Sequence, residues 1–233
     1  MGEAALALAG TFKYRDYRKW PEGERWELIG GIAYGMSPAP RLDHQRVALD
    51  LGSRMCEFLR DKACVAYVSP IDVLLPEPGQ DDDEADNVVQ PDIVVVCDPD
   101  KLANGRYIRG APDLVVEILS PSTMKKDVSE KFELYERSGV REYWIIEPTA
   151  QWLHRYVLEF PGDSPGGAGL TDAASGAGTG NAGEKSATEG NQGNRKSRRY
   201  GKALVRDSGD GLGPIGSTVL EGFSFVPAEL FGD

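Results

Sequence analysis

The sequence predicts an α/β protein of the α+β type, in which helices flank a mixed β-sheet and a β-hairpin lies near the N-terminus. Short apolar runs separated by Gly, Pro and Asp predict the strands. Apolar residues at helical spacing predict a helix over about 43–62, and a second helix is predicted over 125–138, between a Ser-Pro turn and Gly139. The 233 residues fit one domain with an insertion or two small domains, and we interpret residues 1–233 as a single domain.

The predicted hairpin joins two alternating runs, residues 26–29 and 32–36, through Gly30-Gly31. A Gly-Gly pair can supply the positive φ angles of a tight turn. Glu27 is the acid of this hairpin. The alternation alone favours a solvent-facing side chain for it.

The first predicted helix spans about residues 43–62, with Asp43 as its N-cap. Apolar residues at helical spacing predict its buried face, and they are Val47, Leu51, Met55, Phe58 and Leu59. His44 lies in the first turn, where a single histidine is more typical of a surface or capping residue than of a ligand.

Two apolar strands, residues 88–97 and 114–119, each contain an acid, Asp92 and Glu117 respectively. Their apolar residues run almost without interruption, which is typical of strands covered on both faces. The stretch between them predicts a loop rather than a helix, so we expect the two strands to be antiparallel. An ionised carboxylate buried in such a strand costs roughly several kcal/mol unless a cation pairs with it.

The second predicted helix, residues 125–138, ends at Gly139, which suits the left-handed position after a helix. Strands follow, and residues 200–205 are the expected hairpin partner of residues 152–160. Between these two we predict a flexible low-complexity insertion at about 162–199, because that stretch is rich in Gly and poor in large apolar residues. Its basic end could contact phosphates or could simply be solubilising.

The formal net charge of -11 implies a surface that as a whole repels nucleic acid. Binding to a phosphate backbone would then depend on a local basic patch or on metal ions. The odd number of cysteines and the lack of a CxxC pair predict reduced, buried thiols at Cys56, Cys64 and Cys97, and neither a disulfide framework nor a zinc site. Without a signal-peptide pattern or an apolar run of roughly 20 residues, we expect a cytoplasmic protein that does not enter a membrane.

The two strand acids predict a metal site. If their strands are neighbours, the carboxylates of Asp92 and Glu117 converge and need a cation between them. Oxygen ligands suit Mg2+ or Mn2+, whereas a chain with 2 histidines and no clustered cysteines does not suit zinc. A metal ion on two carboxylates can generate hydroxide and stabilise a pentavalent phosphate, which is the chemistry of phosphodiester hydrolysis.

Each acid also has a structural interpretation. Asp92 follows a proline and could end a strand in a turn, and Glu117 could form an ion pair with an arginine. Asp127 and Glu130 have the spacing of a capping box, whereas Asp127 and Lys131 have that of an i,i+4 ion pair. The pattern alone leaves these interpretations open.

Longer motifs add a resemblance to a known family. They are Glu27-Leu28-Ile29-Gly30-Gly31, Gln90-Pro91-Asp92, Ala111 to Thr123 and Gly139 to Pro148, together with His44, Asp127, Lys131 and Tyr135. Over about residues 11–160 and 200–231 the chain resembles the Uma-two family of restriction-endonuclease-like proteins. The resemblance implies a PD-(D/E)XK core, that is, a restriction-endonuclease-like curved mixed sheet with flanking helices, and assembly as a homodimer.

The resemblance assigns roles by position. Asp92 resembles the aspartate of the PD element, and Glu117 resembles the acid of the (D/E)XK element. The lysine of that element falls at position 119, where this chain has Leu119. Lys131 matches the lysine of the family's D-x-x-x-K segment and is the implied substitute from the neighbouring helix.

The implied metal ligands are Asp92, Glu117 and the carbonyl of Ile118. Catalytic roles are implied for Lys131, Glu27, Asp92 and Glu117, with His44, Gln90 and Asp127 as secondary candidates. Two main functions follow, and a third applies the same metal site to another phosphoester or to a nucleotide. One main function is a Mg2+- or Mn2+-dependent endonuclease that acts on DNA. The other, favoured by Leu119 and by the charge of -11, is a catalytically inactive nuclease-fold module with a binding or regulatory role.

Overall fold

The computed structural model describes residues 7–8, 10–21, 23–36, 40–120, 124–159, 198–207 and 213–231. Its strands are β1 (Ala7–Leu8), β2 (Trp26–Ile29), β3 (Ile32–Gly35), β4 (Val65–Val68), β5 (Val73–Leu74), β6 (Val88–Val89), β7 (Ile93–Val96), β8 (Ile108–Arg109), β9 (Leu114–Ile118), β10 (Glu142–Glu147), β11 (Trp152–Glu159), β12 (Arg199–Tyr200), β13 (Leu204–Asp207), β14 (Ile215–Gly216) and β15 (Ser224–Phe225). Its α-helices are α1 (Tyr14–Tyr17), α2 (Leu42–Phe58), α3 (Met124–Val128), α4 (Glu130–Ser138) and α5 (Ala228–Phe231).

The strands of this part of the chain form two mixed sheets and a short hairpin of β14 and β15. The first sheet has the order β1-β3-β2-β6-β5-β8, and the second has the order β12-β11-β10-β9-β7-β4 with β13 also paired to β11. Parallel pairs join β5 to β8 and β9 to β10, within sheets that are otherwise antiparallel. The predicted α+β class with mixed sheets is therefore confirmed.

Helices cover both faces of the second sheet. On one face, α2 contributes Val47, Leu51 and Met55 to an apolar cluster with β7 and β9. On the other face, α4 contributes Leu134 and Tyr135 to a second cluster. Because successive strand residues point to opposite faces, β7 and β9 supply both clusters, which explains their continuous apolar sequences.

The N-terminal hairpin forms as predicted. β2 pairs with β3 across Gly30 and Gly31, whose φ angles are 58° and 78°. The expectation of a solvent-facing Glu27 was wrong, because its exposure is 0%. The alternation was misleading here because β2 also pairs with β6, and helix residues cover the face on which Glu27 lies.

Helix α2 begins at Leu42 and ends at Phe58. The N-cap is Arg41 rather than Asp43, whose Oδ1 instead accepts a hydrogen bond from the amide of His44 at 2.9 Å. His44 lies on the buried face of α2, so the interpretation as a surface residue was wrong.

The predicted helix 125–138 is divided into α3 and α4 at Ser129, whose φ and ψ are -126° and -82°. Ser129, not Asp127, is the N-cap of α4, so the capping-box interpretation of Asp127 was wrong. Asp127 lies inside α3, where its side chain is buried. Gly139 closes α4 with a φ of 92°, as predicted.

Strand β11 pairs with both β12 and β13, which confirms the predicted hairpin partner. The predicted insertion at about 162–199 falls largely on residues 160–197, which lie outside the described residues. In the described segments, no helix combines the length and the apolar character that are needed to cross a bilayer.

The prediction of three reduced, buried cysteines was wrong, because two of them form a disulfide and the third is exposed. Cys64 and Cys97 form a disulfide between β4 and β7, and Cys56 is a free, exposed thiol. The antiparallel register pairs Val65 with Val96, so the preceding and following residues, the two cysteines, face each other. The odd number of cysteines was misleading, because Cys64 and Cys97 form a disulfide and Cys56 is the third, free cysteine.

Candidate active site

The two strand acids lie beside each other in the second sheet. β7 and β9 are antiparallel, as predicted, and Ile93 pairs with Val116. Asp92 directly precedes Ile93 and Glu117 directly follows Val116, so this register brings the two acids together. Glu117 is 3% exposed, and the side chain of Asp92 is 19% exposed.

Glu117 receives two hydrogen bonds from α4. Nζ of Lys131 donates to Oε1 at 2.8 Å, and the hydroxyl of Tyr135 donates to the same oxygen at 2.7 Å. Neither bond engages Oε2.

Asp92 is held by its neighbours through a single oxygen. Its Oδ2 accepts a hydrogen bond from the amide of Ile118 at 2.7 Å and lies 3.3 Å from Nε2 of His44. Neither contact engages Oδ1. Burial opposes protonation of His44, but the hydrogen bond and charge of Asp92 outweigh it and raise the pKa of the imidazole. Nδ1 of His44 is buried and has no hydrogen-bond partner among the described residues.

Glu27 reaches this site from the first sheet. Its Oε1 accepts a hydrogen bond from the amide of Gln90 at 2.9 Å and lies 2.8 Å from Nζ of Lys131. Its Oε2 accepts a hydrogen bond from Nζ of Lys126. Burial of Glu27 opposes its ionisation, but the charges of Lys131 and Lys126 outweigh burial and lower the pKa to about 2.

Lys131 lies among three carboxylates and is 2% exposed. Its Nζ is 2.8 Å from Glu117, 2.8 Å from Glu27 and 3.4 Å from Oδ1 of Asp127. Burial favours the neutral amine, but Glu117 and Glu27 outweigh it and raise the pKa of Lys131 well above its usual value. Lys131 is therefore an ammonium group that donates hydrogen bonds.

The secondary candidates differ in how they contact the group of site residues formed by Asp92, Glu117, Glu27 and Lys131. His44 and Asp127 contact it directly, through Asp92 and Lys131 respectively. The side chain of Gln90 does not: its Nε2 donates to Tyr17 and Asp72, and its Oε1 accepts a hydrogen bond from Arg25. Gln90 contributes through its backbone amide instead.

Sequence reasoning gave no role to two residues of this group, Tyr135 and Lys126. Tyr135 could have been found, since it lies four residues after Lys131 and so shares its helix face. Lys126 could not have been found in this way. In a continuous helix of about 3.6 residues per turn, positions five apart point in different directions, and the break at Ser129 brings both lysines to Glu27.

The chemistry of the donor set fits a hard cation. In the described part of the chain, no group of three or more His, Cys, Asp or Glu side chains is gathered closely enough to hold a metal ion. The set here is instead two adjacent carboxylates, those of Asp92 and Glu117. Each acid has one oxygen that the contacts above do not use, and oxygen donors of this kind suit Mg2+ or Mn2+.

Comparison with known proteins identifies the family. The Uma2 family model, described as "Putative restriction endonuclease", matches residues 14–165. The chain belongs to the Uma2 family. The resemblance carried by the sequence motifs is thereby confirmed.

Two further proteins are similar to this Uma2 chain. The "Uncharacterized protein slr1290" of Synechocystis sp. (strain ATCC 27184 / PCC 6803 / Kazusa) is 28% identical over 151 residues, which cover 64% of this chain and 75% of that protein. A solved structure from Anabaena variabilis ATCC 29413, described as "a putative nuclease belonging to DUF820", matches with a TM-score of 0.61 at 18% identity. The match covers 94% of this chain and 97% of the other, and it shows that the two proteins share a fold.

Proposed function

We propose that this Uma2 protein is a metal-dependent endonuclease that hydrolyses DNA phosphodiester bonds. The observation that carries the proposal is the position of the Lys131 ammonium, 2.8 Å from Glu117, which lies beside Asp92. Two acids and a lysine are the components of a PD-(D/E)XK site, and here the lysine comes from α4 rather than from β9. Membership of a family described as "Putative restriction endonuclease" supports the same reaction class.

Asp92, Glu117 and the carbonyl of Ile118 would hold the metal ion. A bound Mg2+ or Mn2+ supplies charge stabilisation for the phosphate and a more acidic water. The chain prepares the two acids for this role by fixing one oxygen of each. The Ile118 amide and His44 hold Oδ2 of Asp92, and Lys131 and Tyr135 hold Oε1 of Glu117.

Lys131 would act as a charged hydrogen-bond donor toward the scissile phosphate or the attacking water. A preorganised cation of this kind stabilises charge that develops in the transition state. Glu27 and Asp127 orient the ammonium by sharing it with Glu117. The amide of Gln90 in turn fixes Glu27.

A second candidate function is a nuclease-fold binding or regulatory module without catalysis. The observation that favours it is Leu119, which occupies the usual lysine position and packs in the apolar cluster beneath α4. The net charge of -11 points the same way, since it disfavours contact with DNA. Metal binding and turnover separate the two functions.

The test is cleavage of supercoiled plasmid with Mg2+ or Mn2+, beside calorimetric titration of Mn2+. Glu117→Gln and Asp92→Asn should each reduce the cleavage rate at least about a hundredfold, because each removes a group that acts in the transition state. Both variants should also weaken Mn2+ binding. The control is Glu133→Gln, which makes the same change at an exposed position of α4 and should cleave like the wild type.

Two outcomes would decide against the enzyme. If the wild type binds Mn2+ through Asp92 and Glu117 but cleaves no DNA, the module is favoured. If it neither binds Mn2+ nor cleaves DNA, the metal site itself is rejected. The expected partners are DNA and a second copy of the chain, and light scattering after gel filtration measures the homodimer directly.

A further inference from the structure

Glu27 is a buried carboxylate with one lysine on each oxygen. Nζ of Lys131 lies 2.8 Å from Oε1, and Nζ of Lys126 bonds Oε2. Glu27 is 0% exposed, and Lys126 is 8% exposed. In such surroundings a carboxylate and its cations interact strongly, so the charge balance around Glu27 controls where each ammonium lies.

Two residues of the N-terminal hairpin lie beside the Lys126 ammonium. Glu27 in β2 pairs directly with Tyr34 in β3. The ring centroid of Tyr34 lies 5.7 Å from Nζ of Lys126, a distance at which a ring attracts a cation. Lys126 therefore contacts two cross-strand neighbours of the hairpin, and its amine does not point to solvent.

The charge of Lys126 bears on Lys131 through Glu27. Lys131 shares its ammonium among Glu27, Glu117 and Asp127. With Lys126 present, Glu27 is neutralised from its other oxygen. Without Lys126, Glu27 would have Lys131 as its remaining cation in this group, and their attraction would draw the ammonium toward Glu27 and away from Glu117.

We infer that Lys126 is a positioning residue, which neutralises Glu27 so that Lys131 stays at Glu117. The inference rests on the proposed function, in which Lys131 serves the reaction beside Glu117. Lys126 acts through Glu27 and not on the substrate, because its amine is buried against the hairpin.

The experiment compares Lys126→Met, which keeps the length and removes the charge, with Lys126→Arg, which keeps the charge. Lys126→Met should lower the single-turnover cleavage rate about tenfold to a hundredfold, with the KM for DNA almost unchanged. Lys126→Arg should restore most of that rate. Lys19→Met, which makes the same change at an exposed position, should cleave like the wild type.

Mn2+ titration supplies a readout that does not depend on cleavage. In Lys126→Met the departure of the Lys131 ammonium leaves Tyr135 as the donor to Oε1 of Glu117 and removes one positive charge beside this acid. Mn2+ should therefore bind several-fold more tightly. In the Lys131→Met background the Lys126→Met change should lose this effect. A purely structural role for Lys126 would instead weaken Mn2+ binding and lower the Tm in both backgrounds.

Several outcomes would overturn the inference. They are an unchanged rate in Lys126→Met, an effect on KM and salt dependence alone, or a Mn2+ effect that persists without Lys131. If the wild type neither cleaves DNA nor binds Mn2+, the proposed function fails, and thermal unfolding still tests the pairing. The drop in Tm caused by Lys126→Met should then be much smaller in a Glu27→Gln background than in the wild type. An equal drop in the two backgrounds rejects the pairing of Lys126 with Glu27.

Discussion

Lys131 and Leu119 approach Glu117 from different elements. Leu119 lies two residues after Glu117, so the two side chains point to the same face of the sheet. That face is the one covered by α4, which carries Lys131. A lysine at position 119 would therefore emerge beneath the helix that now supplies the amine.

Moving the lysine tests this geometry. Lys131→Met should remove cleavage. Adding Leu119→Lys to that variant should raise the cleavage rate at least about tenfold above that of Lys131→Met alone, because the charged donor returns to Glu117. Plasmid cleavage measures both rates. The control is Lys131→Met with Glu133→Lys, which adds an amine on the exposed side of α4 and should recover nothing. Equal recovery in both double variants would mean that only the net charge matters.

Glu142 shows why residue patterns alone could not define the site. Like Glu117, it is a fully buried acid in an apolar strand. Its Oε2, however, accepts hydrogen bonds from the amides of Thr218 and Val219 and from the hydroxyl of Ser217. It anchors the C-terminal segment, and its partners lie about 75 residues away in the sequence, beyond the reach of any local pattern.

At the scale of elements, periodicity predicted the strands and α2 but not the break between α3 and α4. The apolar spacing of 125–138 continues through Ser129, so the sequence reads as one helix. With this break, Lys126 and Lys131 both reach Glu27, a residue about a hundred positions away that no local pattern includes. Propensity is a weak guide where buried charges determine the backbone path.

The disulfide between Cys64 and Cys97 joins an edge strand, β4, to the strand that follows Asp92. Replacing Cys64 by Ser should lower the free energy of unfolding by about 2–4 kcal/mol, because the link restricts the unfolded chain. Urea unfolding without reductant measures this loss. Cys56→Ser should have no effect, since that thiol is free and exposed. A wild type whose stability does not change on reduction would contradict the prediction.

For the whole molecule, the sequence predicted the fold class, the antiparallel acid strands and the hairpin. It did not predict that Glu27 crosses from the first sheet to the site in the second. Glu27 and Lys131 are about a hundred residues apart in the chain, so their contact arises from the packing of two sheets rather than from a motif. The family resemblance named both residues but could not supply their geometry.

Under the proposed function, the net charge of -11 should make DNA binding dependent on metal ions. The Lys131→Met variant keeps Asp92 and Glu117. It should bind a DNA duplex at least about tenfold more tightly with Mn2+ than with EDTA, because the metal ion offsets negative charge at the site. Fluorescence anisotropy at fixed ionic strength measures this ratio. Asp92→Asn should lose most of the difference. Equal affinity in Mn2+ and EDTA would argue that the protein does not bind DNA through this site.

The pairing of β11 with β12 has a practical consequence for protein engineering. Leu158 pairs with Tyr200 and Glu159 with Arg199, so the chain leaves one strand and enters its neighbour at points about 5 Å apart. A guest domain whose own ends lie close together could be spliced between them without separating the strands. The far edge of this sheet is thus an attachment point for a fluorescent reporter, several strands away from Asp92 and Glu117.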